Sequence, residues 1–268
     1  MDQQKAIGIF DSGIGGLTVA NAISKRLPNE KLVYFGDTAH LPYGEKSADA
    51  IRYYSLAIGK FLLEKECKAI VIACNSASSA AYHTLRHFFE DKAIFINVVD
   101  PLVDMVTTDH DFKKVGIIAT KATVESGMYQ RKIKEARPEW EVAALATPLL
   151  VPMIEEGFIT DDISDAIIHN YLDQEELQGI DTLLLACTHY PLIRRHIEDI
   201  LGPSVQVFDS IDAVTNELKD VLESRDLLRK DGAPPEHHFY VSDLTPSFEK
   251  TTRIFYPEKI HLEHCPIW

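Results

Sequence analysis

Short apolar runs recur along the chain, and each is bounded by polar or turn-forming residues. AIGIF (6–10), KLVYFG (31–36), KAIVIAC (68–74), AIFINVVD (93–100), KVGIIA (114–119), DTLLLAC (181–187) and SVQVFD (204–209) are rich in Val, Ile, Leu or Phe and read as buried strands. Between them, LTVANAISKRL (17–27), SADAIRYYSLAIGKFLLEK (47–65) and SGMYQRKIKEA (126–136) carry helical spacing. The alternation predicts an α/β fold built from parallel βαβ units rather than an antiparallel sandwich. A Pro-Pro pair at 234–235 marks a surface loop.

The pattern also repeats. IGIFDS (7–12) aligns with VGIIAT (115–120), placing Gly8 on Gly116 and Ser12 on Thr120. In the same order AIVIACNS (69–76) aligns with TLLLACTH (182–189), placing Cys74 on Cys187. Two matched strand-plus-loop units predict two pseudo-symmetric α/β lobes with mainly parallel sheets facing a central cleft, where the strand ends of open α/β sheets usually bind ligands.

Composition narrows the function. With 268 residues, 46% of them hydrophobic, the chain can bury one large core or two modest ones. Lys plus Arg number 27 against 41 Asp plus Glu, a net charge of −14, which argues against a nucleic-acid or anionic-membrane partner. An anionic small molecule would have to be held by local donors such as backbone N–H groups and hydroxyls. No apolar run reaches the roughly 18 residues of a spanning helix, and the N-terminus lacks a secretory pattern, so a cytoplasmic location is expected. Cys67, Cys74, Cys187 and Cys265 show no C-x-x-C spacing; free thiols are expected, and no metal.

Cys74 and Cys187 each end a buried strand and precede small or polar residues, in ACNSAS (73–78) and ACTHYP (186–191). A helix following Ser76 would aim its N-terminus at Cys74 and lower the thiol pKa toward neutrality. A lone cysteine usually just packs in a core; two at matching repeat positions point to chemistry, whereas Cys67 and Cys265 keep the packing reading. In DSGIGGLTVANAI (11–23), Gly13, Gly15 and Gly16 allow close backbone approach, and Ser12 with nearby N–H groups could hold a carboxylate. The loop lacks both G-x-G-x-x-G and P-loop spacing. Asp11 would bind a substrate ammonium or sit near a thiol, its alternative being a helix cap. Pro42, Tyr43 and Gly44 predict a rigid turn exposing a tyrosine and a backbone N–H. His189, two residues after Cys187, could stabilise its thiolate or assist proton transfer.

Taken together, DSGIGG (11–16), PYG (42–44), ACNSAS, Thr120 to Thr123 and ACTHYP resemble the glutamate racemases of the aspartate/glutamate racemase superfamily, over about residues 7–210. The resemblance implies two lobes, 1–97 plus 210–268 and 98–209. It implies cofactor-independent exchange of L- and D-glutamate, with Cys74 and Cys187 as the acid/base thiols, Cys74 acting on D-glutamate and Cys187 on L-glutamate. Asp11, Ser12, Tyr43, Gly44, Asn75, Ser76, Thr120 and Thr188 would contact the substrate. His189 would do so too while supporting Cys187, and a carboxylate from TPLLVPMIEEG (147–157) would support that histidine, Glu155 being chosen over Glu156. It further implies supply of D-glutamate for peptidoglycan. Asp100-Pro101 and Ser76 depart from the family's commoner Glu-Pro and Thr, preserving chemical type. Oligomeric state is not set by the sequence, and a homodimer is compatible with it.

The residues alone leave rivals. A racemase for aspartate could use the same thiols, though DSGIGG with PYG favours glutamate. A non-catalytic acidic-ligand or nucleotide-binding protein needs no symmetric thiols, and a redox or zinc protein would need C-x-x-C or further ligands. Removal of a proton from one face and delivery to the other is what two matched bases provide, and no motif presents a lysine placed for a pyridoxal Schiff base.

Overall fold

A computed structural model describes residues 2–230, 232 and 235–268. Ten strands occur among them: β1 (Ala6–Asp11), β2 (Leu32–Gly36), β3 (Cys67–Ile72), β4 (Ile94–Asn97), β5 (Lys114–Ala119), β6 (Glu141–Ala146), β7 (Thr182–Ala186), β8 (Gln206–Asp209), β9 (His238–Val241) and β10 (Leu262–His264). The helices are α1 (Leu17–Arg26), α2 (Ala48–Glu64), α3 (Asn75–Phe88), α4 (Val99–Asp109), α5 (Lys121–Ser126), α6 (Met128–Ala136), α7 (Leu150–Glu155), α8 (Asp162–Leu172), α9 (Arg194–Leu201), α10 (Ile211–Ser224) and α11 (Pro246–Phe255).

The strands form two sheets, β10-β9-β2-β1-β3-β4 and β6-β5-β7-β8, and every pairing is parallel. Within the first sheet the order 2-1-3-4 matches 6-5-7-8 in the second, so the sequence repeat is a repeat of topology. Gly8 pairs with Ile70 and Gly116 with Leu183, equivalent places beside the central strand. A Cβ on Gly8 would stand 3.1 Å from Cys67 Sγ, and one on Gly116 2.9 Å from Ile180 Cδ1. At both positions a neighbouring segment lies too close over the sheet for a larger residue to fit without displacement.

Alternation along the strands divides the core. Ile7 and Ile9 face a large central cluster that also takes in Leu183 and Leu185 of β7 and Val214 and Leu218 of α10. Phe10, Ile70 and Ile72 face the outer layer of the first sheet, while Val115, Ile117 and Leu184 face that of the second. The two sheets thus share apolar packing, and burial of these large aliphatic side chains, about 1.5–3 kcal/mol each, holds them together.

Several elements differ from the sequence reading. The run AIFINVVD is a strand only to Asn97. Asn97 Oδ1 accepts from Val99 N and Asp100 N, both at 2.8 Å, and turns the chain into α4, whose first turn tolerates Pro101 because N–H groups there have no helical partner. The predicted helix at 126–136 is interrupted by Gly127, which takes φ 62° as cap of α5 and start of α6. Strands β6, β9 and β10 went unpredicted. Of the Pro-Pro pair, Pro234 lies outside the described residues. No helix among the described residues is long and apolar enough to cross a membrane.

Candidate active site

Parallel order puts the loops after β1, β2, β3, β5 and β7 at the carboxyl ends of the two sheets, and the predicted residues occupy those loops except Glu155, which ends α7 after β6. A small cavity of about 30 Å³ is lined by Ser12, Tyr43, Gly44, Cys74, Asn75, Ser76, Thr120, Cys187, Thr188 and His189, together with Pro42 and Val151. Asp11 and Glu155 stand behind this wall. Larger hollows of about 580 and 590 Å³ lie on the surface away from both thiols; the small cavity is the one into which the chemistry converges.

Cys74 is the N-cap of α3. Its Sγ accepts from Ala77 N at 3.5 Å and lies 3.8 Å from Ser12 Oγ. The helix starts at Asn75 rather than after Ser76, and its N-terminus meets Cys74 as expected, but the expected lowering of the thiol pKa is overturned. Burial, reinforced by the nearby Asp11 carboxylate, pushes Cys74 up to about 12, outweighing the N–H and hydroxyl contacts. Cys74 is a neutral thiol near neutral pH. Asp11, fully buried at the end of β1, accepts from Gly13 N at 3.0 Å through Oδ2, while its Oδ1 has no hydrogen-bond partner. Burial raises its carboxyl, and His189 together with the Gly16, Gly13 and Ser12 amides opposes that rise. It caps no helix: the N-cap of α1 is Gly16, and no side chain caps it.

Cys187 has different company. His189 Nδ1 lies 3.8 Å from its Sγ, and Nε2 lies 2.9 Å from Glu155 Oε1. Burial alone would lower the imidazole pKa, but its contacts with Cys187 and Glu155 override that and raise it to about 10. As an imidazolium, His189 turns one N–H toward each neighbour, so positive charge stands beside the Cys187 sulfur. Glu155, at the end of α7, makes this contact; Glu156 is its exposed neighbour.

The remaining walls interlock across the two sheets. Ser76 Oγ is 2.8 Å from Thr120 Oγ1 and 3.3 Å from Thr123 Oγ1, and Thr18 Oγ1 donates to Thr188 O at 3.1 Å. A Cβ on Gly15 would fall 2.3 Å from His189 Cε1, and one on Gly44 2.8 Å from Thr120 Cβ, so these glycines are where one loop meets another. Tyr43 corrects the sequence reading: the residue is 1% exposed, and its hydroxyl donates to Asp37 Oδ2 at 2.6 Å instead of standing free. Asp37, itself fully buried, also accepts from Ser242 Oγ at 2.8 Å, tying the turn to the segment after β9. Sequence reasoning passed over Asp37 although it directly follows a predicted strand. It also missed Val151, and Tyr129, whose hydroxyl donates to Asn75 Oδ1 at 2.7 Å.

Among the described residues, no group of three or more His, Cys, Asp or Glu side chains could hold a metal ion, and all four cysteines are free thiols. No lysine lines the cavity.

The sequence profile of the Asp/Glu/Hydantoin racemase family matches residues 17–218. A glutamate racemase of Geobacter metallireducens is 39% identical over 256 residues, 96% of this chain and 94% of that protein. The crystal structure of glutamate racemase from Francisella tularensis subsp. tularensis SCHU S4 in complex with D-glutamate matches with a TM-score of 0.93 at 36% identity, covering 99% of this chain and 98% of that one. An aspartate racemase from Picrophilus torridus, at 20% identity and a TM-score of 0.55 over 84% of this chain and 100% of that one, shares the fold. Profile, sequence identity along nearly the full chain and backbone agreement together place this chain within the Asp/Glu/Hydantoin racemase family, among its glutamate racemases.

Proposed function

We propose that the protein interconverts L- and D-glutamate without a cofactor, using Cys74 and Cys187 as the two acid/base groups. The observation that carries this reading is that both thiols reach one cavity from equivalent strand ends of two matching sheets. In one direction the Cys187 sulfur, carrying negative charge beside the His189 cation, takes the α-hydrogen. The C–H electron pair stays on the substrate, delocalised toward its carboxylate, and the Cys74 thiol delivers its proton to the opposite face. The product leaves Cys187 as thiol and Cys74 as thiolate, the state that acts on the other enantiomer. The family resemblance, rather than the geometry, assigns L-glutamate to Cys187 and D-glutamate to Cys74.

The different surroundings of the thiols fit these roles. A thiol held to about 12 is a neutral donor that keeps its proton until a carbanion develops. Aimed hydrogen bonds in a water-poor site are the chief means of stabilising that carbanion when no electron-sink cofactor takes part. Asp11, with Oδ1 unpartnered, would hold the substrate ammonium on the Cys74 side. Asn75, Ser76, Thr120, Thr188 and the backbone of the Tyr43–Gly44 turn would hold the carboxylates. The 30 Å³ cavity has room for about one or two waters, so glutamate would be admitted by parting of the two sheets and enclosed when they close. The lobes are read as 1–97 plus 210–268 and 98–209, the enzyme as cytoplasmic and compatible with a homodimer, and its product as D-glutamate for peptidoglycan.

Racemisation in D₂O tests the two-base mechanism. Product should carry solvent deuterium at Cα while unreacted substrate early in the reaction carries almost none; original hydrogen returned to product would reject two separate bases. Cys74→Ser and Cys187→Ser should each abolish racemisation, and with an analogue bearing a β-leaving group they should process opposite enantiomers. Assay against aspartate tests the substrate. Glutamate should be preferred in kcat/KM, since a chain shorter by one methylene leaves fixed donors unpaired.

A further inference from the structure

Asn75 carries a polar atom that the described structure leaves unsatisfied. It is 3% exposed and lines the cavity. Its Oδ1 accepts from Tyr129 at 2.7 Å, and its Nδ2 has no partner. A buried amide N–H without an acceptor is costly, and such an atom in a ligand cavity is explained most directly by a ligand that supplies the acceptor. Which end of the amide meets that ligand depends on the partner at the other end. Tyr129 is 1% exposed, belongs to α6 beside the second sheet, and reaches across to α3 beside the first. Its hydroxyl is kept protonated by burial, with Asp100 and Cys187 adding to the effect, so it is a donor at any working pH.

We propose that Tyr129 is a positioning residue that fixes the Asn75 side-chain amide with Nδ2 turned to a carboxylate of the substrate. This rests on the racemase reading above and extends it by one residue that does not line the cavity. Because Tyr129 and Asn75 come from elements beside different sheets, the donor is set when the two sheets are closed over the cavity. Without the phenol, the amide can rotate and present oxygen to the carboxylate in half of its orientations, and Oδ1 loses its own donor.

Tyr129→Phe keeps the ring that packs beside Met128 and Ile133 and removes only the hydroxyl. Expected is a KM for glutamate raised roughly tenfold, the size of one hydrogen bond, with kcat within about twofold. That is the signature of lost binding shared by ground and transition states. Asn75→Ala should raise KM similarly, and the double variant should be no worse than Asn75→Ala alone. An unchanged KM in Tyr129→Phe, or effects that multiply in the double variant, would overturn the proposal while wild-type racemisation leaves the wider reading intact. A readout independent of activity is the pair of ¹H–¹⁵N correlations from the Asn75 side-chain amide, which should be well separated in the wild type and shifted and broadened in Tyr129→Phe. Unmoved peaks would also overturn it, whether or not glutamate proves to be the substrate.

Discussion

The buried imidazole of His189 stands between a sulfur and a partly exposed carboxylate, and its protonation follows from which of three influences is strongest. Burial favours the neutral ring, while Cys187 at 3.8 Å and Glu155 at 2.9 Å favour the cation, and the cation prevails to about pH 10. Glu155→Gln keeps a hydrogen-bond acceptor and removes the charge, so burial should regain ground and the imidazolium should lose its proton at lower pH. The alkaline limb of kcat/KM for L-glutamate, expected near pH 10 in the wild type, should therefore move down by about one pH unit or more. A limb at the same pH in both proteins would show that Glu155 orients the ring without setting its charge. Cys74 offers the opposite lesson. The feature readable from sequence, a cysteine at a helix N-terminus, is present, yet enclosure and Asp11 outweigh it. Asp11 near a thiol is one of the readings the sequence offers, but the enclosure that dominates the shift is not encoded in local spacing.

At the level of elements, the glycine loop after β1 serves packing between loops as much as ligand approach. Gly15 lies so close to His189 that a Cβ would come within 2.3 Å of Cε1 and 2.5 Å of Thr188 Oγ1, and neither group has slack, since Glu155 and Thr18 hold that segment. Gly15→Ala should push the His189 ring from Cys187 and lower kcat for both enantiomers by about 100-fold or more, by the usual cost of a small misplacement. Circular dichroism should stay near wild type, and activity close to wild type would show the loop free to shift. The same view explains which elements were legible. Central strands such as Lys114–Ala119 are continuous apolar runs, and pattern alone finds them. Strand β6 is an alanine-rich, half-exposed edge, and β9 and β10 have four and three residues, too little signal for a period to emerge. The site divides similarly. Residues that end strands, among them Cys74, Ser12, Thr120 and Cys187, were visible because repeat and strand end coincide. Tyr129 and Val151 reach the site from helices of the second half, and Asp37 acts through Tyr43. Only the tertiary approach of separate elements reveals them.

Across the whole molecule, buried titratable groups link the fold to pH in a direction that can be worked out. Burial pushes the Cys67 thiol from 9.0 to about 12 and Cys74 likewise, so between those values the unfolded chain releases protons that the folded chain keeps, and stability falls as pH rises. His189 acts in the same sense: its raised pKa contributes stability fully present below about 6.5 and lost as pH climbs toward 10. Lys68 acts oppositely. Burial lowers its ammonium despite the 2.6 Å contact with Glu30, so the unfolded chain binds more protons there and stability rises with pH over its own window. Lys68 also donates to Gln3 O and Leu227 O, each at 2.8 Å, joining the N-terminal segment to the chain as it leaves α10. Cys67 isolates one contribution because it lies outside the cavity, packed against Gly8. Cys67→Ala removes an ionisable thiol and leaves every other group in place. Over pH 8 to 11 the wild type should lose on the order of 2–3 kcal/mol more stability than this variant by linkage, measured from urea unfolding midpoints at a common slope. Whatever the variant loses at pH 8 from its missing sulfur, the gap should narrow steadily toward pH 11. Parallel curves would mean that the Cys67 thiol ionises as readily in the folded protein as in the unfolded chain.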